Sequence, residues 1–340
     1  MSDLQIGLIS LGIVLILLVL VFNWWQDRRL RGRMREHFPE ADQDPLMGGL
    51  SPVVGRREPG LNLAPAIDGA PAEDAPDVDP HCEAVIDIVF AQPVSSEQLY
   101  AATHSLRTVG SKPVRVFAKS EGGGHRANLR QGESYTSMQL AVLLANRSGP
   151  LTDIEWSHLW TAAQALAERF DGVVEGPEQE QVIQHATQLD ELCAGLDAQV
   201  GLALRLGGTR PVTDVTRQVK DAGFLSHGGH LAWLADSGTP RFVLLYDGVH
   251  VQDVQSAGVD RIDLLLDVPN SPADGQAFSR MASVGRDLAG RLNATLVDDQ
   301  GQAVSEASDK AIDEQLRDMY GKLDQAGFPA GGERAIRVFS

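Results

Sequence analysis

The hydrophobic pattern of the chain begins with one long uncharged stretch near its N-terminus. From Leu4 to Trp25 the residues are almost all apolar, and none of them is charged. At roughly 1.5 Å per residue, a helix of this length crosses the ~30 Å hydrocarbon layer of a bilayer. The pattern therefore predicts a transmembrane helix over residues 4–25. The residues expected to anchor it are Ile6, Leu11, Val14, Leu17, Phe22, Trp24 and Trp25.

A basic juxtamembrane segment over residues 26–35 indicates how this helix is oriented. It contains Arg28, Arg29, Arg31, Arg33 and Arg35. Positive charge beside a membrane helix favours the cytoplasmic side and contact with lipid headgroups, so we expect the N-terminus outside and the rest of the chain inside. The alternative is a cleaved signal peptide, which would have its positive charge before the apolar stretch and small residues after it. Here Asp3 is the only charge before the stretch. The stretch ends with Trp24 and Trp25, and Gln-Asp-Arg-Arg follows, without the small residues of a cleavage site.

Residues 36–81 have the composition of a linker. Pro, Ala, Asp and Gly dominate, and the apolar positions show little periodicity. Such a segment cannot bury enough apolar surface to offset the entropy lost on ordering. We therefore expect a disordered, extended spacer between the membrane and the remainder of the chain.

The same order of patterns then occurs twice, over residues 82–197 and 198–327. Each segment opens with a strand of alternating apolar residues, and a short helix and further strands follow. A longer helix, a strand and a last helix complete each segment. The ends of the two longer helices, residues 166–170 and 288–292, align directly. This order predicts an α+β fold with two tandem antiparallel-sheet units, each with helices on one face only. The tail over residues 328–340 contains the mostly apolar residues 335–339, which could add an edge strand or stay loose.

Charge and motifs narrow the possible chemistry. The net charge of −17 argues against binding to nucleic acid. Cys82 and Cys193 fit no zinc spacing, and neither has a recognisable partner histidine. The glycine-rich residues 122–125 lack the Gly-Lys-Ser/Thr of a phosphate loop. We therefore expect a binding protein without catalytic residues, metal or cofactor.

The residues of the second segment resemble the ZipA family. The similarity is carried by Ile262–Pro269, the helix over residues 274–292, Ala294–Asp299 and the helix exit Gln218–Phe224. It covers residues 198–327, and it extends more weakly to residues 83–197. The chain differs from the family in its shorter linker, which is not rich in glutamine, and in the apparent second copy of the domain.

The resemblance implies a role in bacterial cell division. That family anchors the division ring at the inner membrane, and the helix-free face of its sheet binds the C-terminal tail of FtsZ, the bacterial tubulin homologue, in a shallow apolar groove. It implies a single-pass inner-membrane protein with a periplasmic N-terminus and a cytoplasmic C-terminal part. Its partners would be the FtsZ tail and membrane lipid.

Alternation along the strands gives the residues expected in this groove. They are Ala203, Leu231, Trp233, Leu244, Tyr246 and Leu265, and His250 takes the place of a lysine that the family has at the rim. Aromatic anchors carry much of the energy of an interface, which favours the second unit as the tail-binding one. The first unit could pack against the second, self-associate or bind something else.

The sequence is also compatible with two alternatives. The helix-free faces of the two sheets could cover each other, and a slip of one residue would exchange the two faces of any strand. A different function is a membrane-anchored sensor or enzyme that holds a small ligand between the two units. It predicts a closed pocket with perturbed titratable groups.

Overall fold

Two antiparallel sheets with helices follow one another along the chain. The computed structural model describes residues 78–121, 123–299 and 301–340. The predicted transmembrane helix, the basic segment and the linker up to residue 77 lie outside the described residues, and so do the anchor residues Ile6 to Trp25 and the arginines Arg28 to Arg35. Among the described helices, none is long and apolar enough to span a membrane.

The first sheet is built around its longest strand, β1. Its strand order is β2-β3-β5-β1-β8, with β4 paired to β3, and all of its pairs are antiparallel. The strands are β1 (Glu83–Ser95), β2 (Thr108–Val109), β3 (Lys112–Ser120), β4 (His125–Arg126), β5 (Ser134–Leu143) and β8 (Gly172–Glu175). The short strands β6 (Ala145–Asn146) and β7 (Gly149–Pro150) form a separate hairpin. The helices are α1 (Ser96–Thr103), α2 (Asp153–Arg169) and α3 (Gln179–Ala194).

The second sheet repeats this arrangement with one more strand. Its order is β10-β11-β12-β14-β9-β15, with β13 paired to β12, and its pairs are also antiparallel. The strands are β9 (Gln199–Pro211), β10 (Leu225–His227), β11 (His230–Leu234), β12 (Pro240–Tyr246), β13 (Val249–His250), β14 (Gly258–Asp267) and β15 (Ala294–Val297). The helices are α4 (Val212–Asp221), α5 (Ala277–Leu292), α6 (Glu306–Gln325) and α7 (Glu333–Val338).

The α+β class with antiparallel sheets is therefore confirmed for the described residues. The path β3-β5-β1-β8 of the first sheet corresponds strand by strand to the path β12-β14-β9-β15 of the second. In both halves a long helix precedes the last strand of this path and another helix follows it. A common origin of the two halves stays a prediction.

Local sequence signals explain where the long helices begin and end. The helix α2 begins at a capping box, in which Thr152 Oγ1 accepts the N–H of Glu155 (3.2 Å) and Glu155 Oε2 accepts the N–H of Thr152 (2.9 Å). The helix α5 ends at Asn293, whose φ of 48° is left-handed, as is common at helix C-termini.

Helix α5 lies directly against one face of the second sheet. A Cβ atom on Gly285 would be 3.0 Å from Leu296 Cδ1 and 3.3 Å from Leu264 Cδ1. The absence of a side chain at Gly285 therefore permits close approach of the helix to β14 and β15. Because Leu264 and Leu296 mark this face, the opposite face of the same strands is the one without α5.

The C-terminal segment connects the end of the chain to the beginning of the first sheet. Arg334 Nε donates to Asp79 Oδ2 (2.6 Å), and Arg337 pairs with Glu83 in β1. Phe339 is buried, and its carbonyl accepts a hydrogen bond from Asn270 Nδ2 (2.8 Å). The sequence suggested that residues 335–339 either add an edge strand or stay loose. They are packed instead, mostly as helix α7. All described residues belong to one compact unit.

Candidate functional site

The helix-free face of the second sheet carries a continuous row of small and apolar residues. Directly opposed residues of antiparallel strands point to the same face, so the register defines the row. Leu225 pairs with Ala232, Ala232 with Val243, Val243 with Leu265, and Leu265 with Gly201. We call these five residues the apolar row. It crosses five strands, a span of about 19 Å at ~4.8 Å between strands.

The apolar row is shallow and partly open to solvent. Leu225 is 54% exposed, and Val243 and Leu265 are half-buried, whereas the small Ala232 is fully covered. Gly201 has no side chain, so the floor is lowered beside Leu265 at the end of the row. The shape suits an extended peptide with a few apolar side chains better than an enclosed small molecule.

A second row on the same face combines apolar and ionisable residues. His250 pairs with Leu245, Leu245 with Asp263, Asp263 with Ala203, and Ala203 with Val297. We call these residues the mixed row. It lies beside the apolar row, two residues further along each shared strand, so Leu245 and Val243 form one apolar surface with Leu265.

Two histidines meet at the rim of this face. The ring centroids of His230 and His250 are 3.9 Å apart, and the Nδ1 atom of each is buried without a hydrogen-bond partner in the described part of the chain. Burial lowers the pKa of His250, the nearby His230 lowers it further, and the carboxylate of Asp253 opposes the shift. His250 at the rim is therefore less basic than the lysine that the ZipA family has at this place.

Asp263 is the carboxylate within the mixed row. Its side chain is 15% exposed, and Arg261 Nε donates to its Oδ1 at 2.6 Å. Burial raises the pKa of Asp263, although the charge and hydrogen bond of Arg261 oppose this shift.

Three of the seven residues predicted for the groove lie on this face. Leu265 belongs to the apolar row, and Ala203 and His250 belong to the mixed row. Ala203 is 3% exposed, so it can form part of the floor but offers little contact surface. Whether these residues bind a partner stays a prediction.

The other four predicted groove residues lie on the helix side of the sheet. Leu231 pairs with Leu244, Leu244 with Leu264, and Tyr246 with Ile262, all on the face that α5 covers. Leu231, Leu244 and Tyr246 are at most 2% exposed. The predicted phase of β11 and β12 is therefore wrong by one residue, and Trp233 shares this error.

Aromatic packing explains the phase that these strands adopt. Trp233 stacks on Phe242 at 6.1 Å between ring centroids, and Phe224 contacts both rings edge-on. Tyr246 Oη forms a 2.9 Å hydrogen bond with Thr216 Oγ1 in α4. Turning these strands over would expose this aromatic cluster, at a cost of about 1.5–3 kcal/mol for each large side chain.

Sequence reasoning missed the residues that make up most of the face. Leu225, Val243 and Leu245 were not expected there, because β12 is apolar at almost every position and both phases look acceptable. The register with β14 decides between them. A signal existed in the alternation of large aromatic residues with Val243 and Leu245, since the larger residues are the better core residues.

The helix-free faces of the two sheets do not cover each other completely. Val89 and Val173 form a cross-strand pair on the first sheet and are 49% and 62% exposed. On the second sheet Leu225 is similarly exposed. These positions are accessible in the described unit, so a partner can reach both faces there.

The first half also contains a pocket, but it does not lie between the halves. Its volume is about 420 Å³, and it lies beside α1 and β3, with Tyr100, His104, Arg107 and Val114 among its lining residues. Within the described residues, no group of three or more histidine, cysteine or acidic side chains could hold a metal ion. Cys82 and Cys193 are buried free thiols, and burial raises the pKa of each to about 12.

Comparison with known families places a match on the second half. Residues 248–315 match the family model of the ZipA C-terminal FtsZ-binding domain. The match runs from β13 through β14, α5 and β15 into α6, and it confirms the resemblance expected from the sequence over these residues. A search of curated proteins found no match to the chain.

Proposed function

We propose that this chain, whose residues 248–315 carry the ZipA match, is a membrane-tethered adaptor that binds the FtsZ C-terminal tail. The tail would lie across the apolar row on the helix-free face of the second sheet. One observation carries the proposal: the family match falls on the half whose helix-free face presents an apolar row that is partly open to solvent.

The geometry of the row sets the expected strength of binding. Burying one leucine-sized side chain contributes about 1.5–3 kcal/mol, and ordering the tail offsets part of this gain. A shallow row with two or three such contacts therefore gives modest affinity for a single tail. A filament presents many tails, so several adaptors on one membrane would hold it by avidity.

The N-terminal part of the chain would supply the tether. The apolar residues 4–25 are proposed to cross the bacterial inner membrane, and the arginines of residues 26–35 to hold the C-terminal part on the cytoplasmic side. Of the residues 36–81 expected as a linker, 78–81 belong instead to the described unit, where Asp79 pairs with Arg334. The remaining residues 36–77 would act as a spacer that sets the reach of the sheet from the bilayer. The protein would thus position a filament without catalysing a reaction.

A charge placed on the apolar row tests this proposal. The full chain in detergent would be titrated against a fluorescent peptide of the FtsZ tail from the same organism, with anisotropy as the readout. Leu265→Asp should weaken binding at least tenfold, because a carboxylate on the row must be desolvated when the tail binds. Circular dichroism should show an unchanged fold, since Leu265 is partly open to solvent.

Val173→Asp provides the matched control on the first sheet. Val173 is an exposed apolar residue on the equivalent helix-free face, so the same charge is added away from the proposed site. Its binding should equal that of the wild type. Loss of binding in Val173→Asp with normal binding in Leu265→Asp would move the site to the first sheet. No binding by the folded wild type would refute the adaptor function.

A further inference from the structure

Two arginines are cross-strand neighbours at one end of the helix-free face. Arg205 in β9 and Arg261 in β14 are directly opposed in the register, on the same face as Leu265 and Ala203. Like charges at such positions have Cβ atoms only about 4.5–5.5 Å apart and destabilise a sheet. The pair is also unusual in a chain whose net charge is −17.

Only one of these two arginines is paired with a carboxylate among the described residues. Arg261 donates a hydrogen bond from Nε to Asp263 Oδ1. This contact does not use the two terminal nitrogens of its guanidinium group. Arg205 is exposed and forms neither a hydrogen bond nor an ion pair with any residue that the structure describes. Arg205 therefore has no carboxylate partner among the described residues, whereas Arg261 has Asp263 as a side-chain partner and Asp247 beside its backbone N–H.

The position of the arginines relates them to the apolar row. Leu265 and Arg261 are four residues apart on β14, a distance of about 13 Å along the strand. Asp263 and Ala203 lie between them on the same face, and both are less exposed than the two arginines. A peptide with a large apolar side chain on Leu265 can place another side chain, a few residues away, beside the two guanidinium groups.

We propose that Arg205 and Arg261 form a carboxylate clamp for an acidic side chain of the peptide that occupies the apolar row. This inference rests on the proposed tail binding and adds its chemical specificity: the bound segment combines apolar side chains with an aspartate or glutamate. Planar guanidinium groups bind a carboxylate through paired hydrogen bonds. The ligand supplies the anionic partner that Arg205 lacks among the described residues, where its guanidinium lies beside Gly301 and Arg261 binds Asp263.

An acidic side chain fits this place better than the terminal carboxylate of a peptide. The strand β9 continues for six residues beyond Arg205 to Pro211, so the arginines lie within the sheet and not at its edge. A chain crossing the face can continue past them. The clamp would therefore bind an acidic side chain within the bound peptide and not the carboxylate at its C-terminus.

A double-mutant cycle tests the clamp. Wild type and Arg205→Gln, both as full chains in detergent, would be titrated against the FtsZ tail peptide and against the same peptide with Asp and Glu replaced by Asn and Gln. Arg205→Gln should weaken binding of the acidic peptide about tenfold, the value of one charge-assisted hydrogen bond pair. It should leave binding of the amide peptide unchanged, so the two effects couple.

The controls separate this inference from the proposed function. Arg217→Gln removes an exposed arginine from α4, away from the face, and should bind like wild type. A tail peptide with an amidated C-terminus should also bind like the unmodified one, and a tenfold loss on amidation would overturn the choice of a side chain. Wild-type binding that Arg205→Gln leaves unchanged, or weakens equally for both peptides, would refute the clamp while the adaptor function stands. No binding of any peptide to the wild type would refute both.

Discussion

Leu244 and Leu245 show how one position decides between core and surface. They are adjacent in β12, yet Leu244 is fully buried beneath the helices and Leu245 lies half-buried on the helix-free face. Their chemistry is identical, so neither leucine taken by itself shows which of the two is the outer residue. The pairing of Leu244 with Leu264, opposite α5, settles the question.

The two leucines should therefore differ in their contribution to stability. Leu244→Ala should lower the free energy of unfolding by about 3 kcal/mol, because it leaves a cavity in the core. Leu245→Ala should lower it by about 1 kcal/mol or less and should instead weaken tail binding. Urea unfolding of both variants measures the difference, and an equal loss of stability would contradict the phase assigned to β12.

The histidine pair predicts a dependence of stability on pH. The ordinary pKa of His250 is 6.5, and burial together with His230 lowers it in the folded protein. The unfolded chain therefore binds more protons below pH 6.5, so the contribution of His250 to stability is lost as the pH falls through this range. Asp253 opposes the shift but does not reverse it.

Replacing His250 by Gln isolates this contribution. The wild type should lose more stability than His250→Gln between about pH 7.5 and about pH 5.5, because the variant has no imidazole to protonate at this position. The difference between the two proteins, measured by urea unfolding, removes the effects of the other titrating groups. A larger loss in His250→Gln than in the wild type would show that the sign is wrong.

At the scale of elements, sequence patterns predicted most of the fold. Long helices with regular apolar spacing, such as α2 and α5, were expected close to their observed bounds. The cleanly alternating strands β1 and β9 were expected as well, but they continue to Ser95 and Pro211, beyond the alternating residues 83–90 and 200–206. The short strands β2, β4, β10 and β13 were not expected, since two or three residues carry no periodicity. Helix α7 was missed as well, because its buried face packs against distant parts of the chain.

Helix α7 illustrates an element that tertiary contacts stabilise. It has only six residues, too few to be stable alone. Arg334 and Arg337 pair with Asp79 and Glu83 at the start of the first sheet. The side chain of Glu83 is 1% exposed, and Arg115 Nε also donates to it at 2.7 Å, so this carboxylate depends on its two arginines.

Removing one of these arginines should loosen the connection between the end of the chain and its first strand. Arg337→Ala should lower the free energy of unfolding by about 2 kcal/mol, since a buried carboxylate loses a charged hydrogen bond. Arg217→Ala, at an exposed pair on α4, should change it by about 0.5 kcal/mol or less. Equal values for the two variants in urea unfolding would show that the contact contributes no more than a surface pair.

At the scale of the whole molecule, the order of parts explains the proposed role. Residues 4–25 would fix the protein in the membrane, residues 36–77 would provide reach, and the described unit would present its helix-free face to a filament. The choice of the second sheet from its aromatic residues was a weak argument, because Trp233 and Tyr246 lie on the helix side. The family match and the apolar row now support that choice on separate grounds.

The most direct test of this account is methyl NMR of the full chain in detergent micelles, with labelled leucine and valine, before and after addition of the FtsZ tail peptide. The account predicts that the methyl signals of Val243, Leu245 and Leu265 shift with peptide concentration. The signals of Val89 and Val173 on the first sheet should remain in place. Shifts confined to the first sheet, or the absence of any shift at saturating peptide, would contradict binding on the helix-free face of the second sheet.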